Sequence, residues 1–193
     1  MRSIKFQLVV LFLIGFGHTV NAQKGSLYPK FPESFEGQEI KSDGYANSVS
    51  QLNTGKWAFV GARIDSFVND HPSSGKNAAR LVGNNTKPAY VQMNFDLNNG
   101  ASKVIYWYSS YGAKADKPCQ LQLEYSTDGG KEWNPAGELI EVKSKIKQAA
   151  TVELDVKGNV RFRIHKLALG SPKEDPSIAN GRLSIDDFSV YKN

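Results

Sequence analysis

Period two is the strongest constraint on this chain. In "YVQMNFDL", Val91, Met93, Phe95 and Leu97 fall on one side, with Gln92, Asn94 and Asp96 on the other. "CQLQLEY" sets Leu121, Leu123 and Tyr125 against Gln120, Gln122 and Glu124. "ATVELDV" sets Val152, Leu154 and Val156 against Glu153 and Asp155, and "NVRFRIH" sets Val160, Phe162 and Ile164 against Arg161, Arg163 and His165. Successive side chains of a strand point to opposite faces, so each stretch is a strand with one face in a core and one in water. Antiparallel sheets tolerate that arrangement. No long i, i+3, i+4, i+7 stripe competes, and Gly, Asn, Ser and Pro interrupt the chain often. About ten short strands with frequent turns predict an all-β, two-sheet antiparallel sandwich.

Turn signals lie between the strands. Gly158-Asn159 in "DVKGNV" predicts a tight hairpin joining "ATVELDV" to "NVRFRIH". "STDGGKE" predicts another, between "LQLEYS" and "EWNPAG". The second carries Ser126, Asp128, Gly130 and Trp133 at S-x-D-x-G-x-x-W spacing, the Asp-box pattern that recurs in sialidases and other propeller glycosidases. A propeller needs several similar blades, and this chain has one copy and no fixed-period repeat. The pattern therefore predicts a hairpin: Asp128 caps backbone N–H groups, Gly130 takes a positive φ, and Trp133 covers the turn. Residues 66–76 and 168–181, rich in Pro, Ser, Asp and Asn, predict surface loops.

The N-terminus reads as a targeting segment. Arg2 and Lys5 precede the apolar run "LVVLFLIGF", and "VNA" supplies a cleavage site between Ala22 and Gln23. The run is shorter than the roughly 18 apolar residues that a membrane span needs. The expected organisation is a signal peptide at 1–22, a linker at 23–32 and one domain at 33–193. The expected location is extracellular or periplasmic. The segment after Ala22 keeps 22 basic and 19 acidic residues, a net +3. "KSKIK", the densest basic run, fits a solvated edge better than a nucleic-acid patch. Cys119 stands alone, so no internal disulfide can form.

A series of short motifs then carries a resemblance. "SFEG" at 34–37, "NTGKWAFVGARI", "NDHPSSGKNAARL" and "RLSIDDFSVY" at 182–191 follow one another in order. The series resembles MAM-type adhesion domains and the secreted bacterial jelly-roll modules that accompany carbohydrate-active enzymes. The resemblance implies a jelly roll, and a calcium site joining the first and last strands through Glu36, Asp70, and Asp186 or Asp187. Oxygen ligands are what calcium takes. "IDDF" also breaks alternation, since Ile185 and Phe188 cannot share a face in a regular strand. A bulge at Asp186-Asp187 would restore it.

Little in the chain builds an enzyme. Two histidines, His71 and His165, follow the signal peptide. There is no zinc spacing of Cys and His, no H-E-x-x-H and no G-x-S-x-G. The expectation is a non-catalytic module that binds a polysaccharide or surface glycan, with a cell-surface protein as the alternative partner and a small secreted hydrolase as a third reading. Sugars stack on aromatic rings while polar side chains bond their hydroxyls. The residues expected to do this are Trp57, Trp107, Tyr111, Gln122, Glu124, Arg161, Arg163 and His165.

Overall fold

A computed structural model describes residues 25–36, 44–167, 169–171 and 173–193. The expected signal peptide lies outside the described residues. Eleven strands follow in order: β1 (Ser48–Gln51), β2 (Lys56–Val60), β3 (Ala62–Asp65), β4 (Ala78–Leu81), β5 (Ala89–Met93), β6 (Ala101–Ser110), β7 (Cys119–Ser126), β8 (Asn134–Val142), β9 (Gln148–Val156), β10 (Arg161–Leu167) and β11 (Leu183–Tyr191). A 3-10 turn, Val68–Asp70, interrupts the loop after β3. The strands form a six-stranded sheet, β1-β2-β5-β10-β7-β8, and a five-stranded sheet, β3-β4-β11-β6-β9. The alternating stretches are strands as the sequence predicts, and their apolar sides meet between the sheets.

An aromatic cluster fills the centre. Trp57 sits at 5.9 Å from Phe35, 6.2 Å from Phe95 and 5.5 Å from Phe188, ring to ring. Such edge-on pairs add about 0.5–1.5 kcal/mol each beyond burial. Trp57 is 1% exposed and its indole N–H donates to Thr54 Oγ1. The expectation that Trp57 stacks on a ligand is therefore corrected, because the parity of β2 turns it inward with Phe59. Ile185 and Phe188 are both buried. They share the core because the β11 register shifts between Asp186 and Ser189, where Asp187 takes a φ of 44°. This is the bulge that "IDDF" predicts.

Two boundary expectations are also corrected. Residues 25–32 are not a linker. Leu27 pairs with Tyr191, Tyr28 N donates to Val190 O, and the Tyr28 and Phe31 rings are buried. Gly158-Asn159 does not close a hairpin either. β9 pairs with β6 in one sheet and β10 with β5 and β7 in the other, so the segment is an arch between sheets. Two alternating strands on either side of a Gly-Asn look alike whether the chain folds back within a sheet or crosses to the opposite one. The partners decide, and they are distant in sequence.

Candidate functional site

The polar face of the six-stranded sheet gathers most of the expected binding residues. On β10 the apolar positions Phe162 and Ile164 are buried, which turns Arg161, Arg163 and His165 outward. Arg163 stands opposite Glu124 on β7 and Gln92 on β5, and His165 stands opposite Gln122 and Tyr90. Glu124 bridges the two basic groups. Its Oε2 accepts from Arg163 Nε, and its Oε1 lies 3.2 Å from His165 Nδ1. Arg161 Nε donates to Asp96 Oδ1 at 2.6 Å. Both guanidinium groups are thus held by a carboxylate through Nε.

Two aromatic rings that the sequence reading did not single out for ligand binding complete the face. The Arg163 guanidinium lies 4.3 Å from the Trp133 ring centre and 5.2 Å from that of Tyr90. Tyr90 also meets the His165 ring edge-on at 6.3 Å. Trp133 is half-buried, so its ring rests on the arginine and keeps surface open to solvent. A signal for Tyr90 existed: with Ala89, Val91 and Met93 inward, parity puts Tyr90 and Gln92 outward. For Trp133 the signal was weaker, because its position follows from the turn. Ser126 Oγ donates to Asp128 Oδ1 and accepts from Gly130 N at 2.8 Å. Asp128 accepts from the N–H groups of Lys131 and Glu132, and these bonds, led by the Ser126 hydroxyl, hold its carboxyl below the usual range. Gly129 and Gly130 take φ of 79° and 90°. Trp133 Nε1 donates to Gly130 O at 3.1 Å, which pins the indole beside the turn. The Asp-box is a hairpin, as expected, and it also delivers an aromatic ring to the polar face.

Other expected residues are covered or lie elsewhere. Gln122 is buried, and its amide donates to the carbonyls of Leu123, Ala136 and Gly137, so it closes an irregularity in the β7–β8 ladder. Trp107 is 36% exposed, but on the outer face of the other sheet, paired with Asp186 and Ala149. Tyr111 follows β6 and stacks on Arg182 at 3.9 Å and on Arg80 at 4.6 Å. The expected single site is therefore divided, with Glu124, Arg161, Arg163 and His165 on one face, Trp107 and Tyr111 on the opposite sheet, and Trp57 in the core.

The expected calcium ligands divide as well. Asp70 is buried and bonds Arg80 Nη1 at 3.0 Å, so a guanidinium meets its charge; burial still pushes its pKa up to about 7. Glu36 Oε1 accepts from the N–H groups of Lys76 and Asn77. Asp186 Oδ2 accepts from Ser73 N, Ser73 Oγ and Ser74 N, and Asp187 lies against both serine hydroxyls. Three of the four carboxylates thus grip one loop, and Asp70 is not among them. Among the described residues no three His, Cys, Asp or Glu side chains gather as a metal set. Asp186 and Asp187 share one serine hydroxyl. Ser73 Oγ lies 2.8 Å from Asp186 Oδ2 and 2.9 Å from Asp187 Oδ2, and its one proton cannot serve both.

Among the described residues, the two carboxylates of the polar face are each engaged by an arginine. Glu124 and Asp96 are both fixed by guanidinium groups. Cys119 is buried, and burial pushes its thiol up to about 11. The face offers N–H donors, ring surfaces and acceptors in fixed positions.

No protein-family model matches the chain, and no curated protein matches it in sequence. Solved structures do. The carbohydrate-binding module TmCBM61, solved with β-1,4-galactotriose, is 13% identical over 83% of this chain and 95% of that one, with a TM-score of 0.51. The CBM22-1 xylan-binding domain of Paenibacillus barcinonensis Xyn10C is 11% identical over 89% and 97%, with a TM-score of 0.50. The K2 cleaved adhesin domain of Lys-gingipain is 15% identical over 84% and 98%, with a TM-score of 0.55. At these identities the likeness establishes the fold, a jelly-roll β-sandwich.

Proposed function

We propose that this chain is an exported, non-catalytic module that binds carbohydrate on the outer face of its six-stranded sheet. The observation that carries the reading is Trp133 resting on Arg163, with Tyr90 beside it and Glu124, His165 and Gln92 around them. A pyranose presents C–H groups on its faces and hydroxyls at its rim, which suits a ring platform bordered by fixed donors and acceptors. Two of the structurally similar proteins are named for galactotriose and xylan binding, which agrees with this choice but does not select a sugar. A glycan array spanning plant, algal and host polysaccharides is the test. Retention on some glycan without release of product is expected. An array without signal removes the reading and leaves protein adhesion in its place.

Asp186 and Asp187 are the two carboxylates that fit a structural calcium ion, with the Ser73 and Ser74 hydroxyls as neighbouring oxygens. Bound there, the ion would supply the positive charge that the single Ser73 proton cannot divide, and it would tie the 66–77 loop to β11. Binding only to the folded state stabilises it by mass action. EDTA is expected to lower the melting temperature by several degrees, with recovery on adding calcium. An unchanged melting temperature would show that the serine donors suffice.

A further inference from the structure

The outer-face residues form a line rather than a point. Arg161, Arg163 and His165 succeed one another along β10, spanning about 13 Å at roughly 3.3 Å per residue. Tyr90 stands beside His165 at the end of that line. Tyr90 also lines a cavity of about 440 Å³ at the ends of β2 and β5, together with Tyr45, Val60, Gly61, Val82 and Thr86. Tyr45 and Val82 in turn line a second cavity of about 390 Å³, with Asn84, Asp116, Lys117 and Arg182. Both fall within the roughly 300–1,000 Å³ of small-ligand sites. The two cavities share a wall, and the first shares a ring with the platform.

Their surroundings are fixed from beneath. Lys166 is the residue on β10 after His165, and its side chain is fully buried. Its Nζ donates to Asn85 Oδ1 at 2.8 Å and to Asn180 Oδ1. Asn85 lines the first cavity and Asn180 the second. Asn180 Nδ2 further holds the carbonyls of Asn85 and Gly170. In the second cavity, Arg182 Nε donates to Asp116 Oδ2 at 2.7 Å, and its guanidinium stacks on Tyr111. One buried ammonium therefore ties together asparagines that line two adjacent hollows. A charge removed from water, with only amide oxygens as its hydrogen-bond acceptors among the described residues, is an expensive way to hold a loop.

We infer that the binding track runs along β10 and continues past its end into both cavities, so that the ligand is an extended sugar chain rather than a single terminal residue. The inference rests on the carbohydrate reading of the outer face. Arg161 stands at one end of the track, with Trp133 and Arg163 next along it; Tyr90 leads into the first cavity, and Tyr45 stands between the first and the second, where Arg182 and Asp116 present hydroxyl partners.

The test uses ladders of xylo-, cello- and galacto-oligosaccharides, from disaccharide to hexasaccharide, titrated into the full protein by calorimetry and two-dimensional NMR. Affinity is expected to rise at least tenfold along the ladder that binds. The amide signals of Gly61 and Gly83, which line the cavities, should move with the hexasaccharide and not with the disaccharide. Thr86→Trp and Lys117→Trp, each filling one cavity from an exposed position, should remove most of that gain while melting temperatures hold. Affinity independent of length, or a full gain in both tryptophan variants, would overturn the extended track and leave the platform standing. Failure of every ladder to bind would overturn the carbohydrate reading and the track with it.

Discussion

Trp133→Ala is expected to abolish measurable glycan binding while leaving the sandwich folded. The indole is the largest ring on the polar face, and an aromatic anchor of this kind typically carries about 2 kcal/mol or more of binding, roughly thirtyfold in affinity. Two consequences separate from each other. Loss of the indole N–H bond to Gly130 O and of packing beside the turn should lower stability by about 1 kcal/mol, while Ser126 and Asp128 still close the hairpin. Loss of the stacking surface acts on the ligand alone. Trp133→Phe, which keeps a ring, should recover part of the affinity. Arg163→Lys should also weaken binding, because an ammonium cannot lie flat beneath the indole and grip Glu124 side-on at once. A Trp133→Ala variant that binds as the parent does would place the ligand somewhere other than this face.

The second large effect concerns Lys166. Burial holds its ammonium down to about 8, against 10.5 for a free lysine. Below pH 8 the group is charged in both the folded and the unfolded chain. Between about 8 and 10.5 the folded protein has released the proton and the unfolded chain still holds it. The unfolded state then binds more protons, so stability rises with pH across that window. The full effect is about 3 kcal/mol. Lys147, also held down to about 8 by burial, acts in the same direction, and the buried Cys119 thiol, raised from 9.0 to about 11, opposes both from about pH 9 upward. Comparison with Lys166→Met isolates the one contribution. Denaturant unfolding of the parent at pH 7 to 10 should give a steeper rise than that of the variant, and parallel profiles would refute the assignment. At pH 7 the variant removes a strained charge but leaves Asn85 Oδ1 and Asn180 Oδ1 without their donor, so its net stability there should change little.

How far the sequence could be read depended on the range of each interaction. The alternation of "NVRFRIH" fixes which side chains of β10 are wet, and that is local. The pairing of Arg163 with Glu124 needed only that two wet strands be neighbours, and they are. "IDDF" announced its bulge because two apolar residues three apart cannot otherwise share a core. Trp57 misled because a tryptophan in "KWAFV" stands between polar and apolar neighbours, and only Phe35, Phe95 and Phe188, each distant in the chain, make its site a core. Gly158-Asn159 misled because turn chemistry reports direction change and not destination. Asp70 left the expected calcium set because Arg80 is its partner, a match that no spacing rule encodes. The cavities around Tyr45 were invisible for the same reason, since their walls come from five separate stretches of the chain.

The position of β11 has a consequence for how the molecule is made. It lies in the middle of the five-stranded sheet, hydrogen-bonded to β4 on one side and β6 on the other, and it contributes Phe188 to the central aromatic cluster. During synthesis from the N-terminus, β4 and β6 therefore wait as unpaired edges, with a gap between them, until residues 183–191 have emerged. Such edges are the surfaces on which chains misassociate. The five-stranded sheet therefore cannot be completed, nor the aromatic cluster given its Phe188, before residues 183–191 are available.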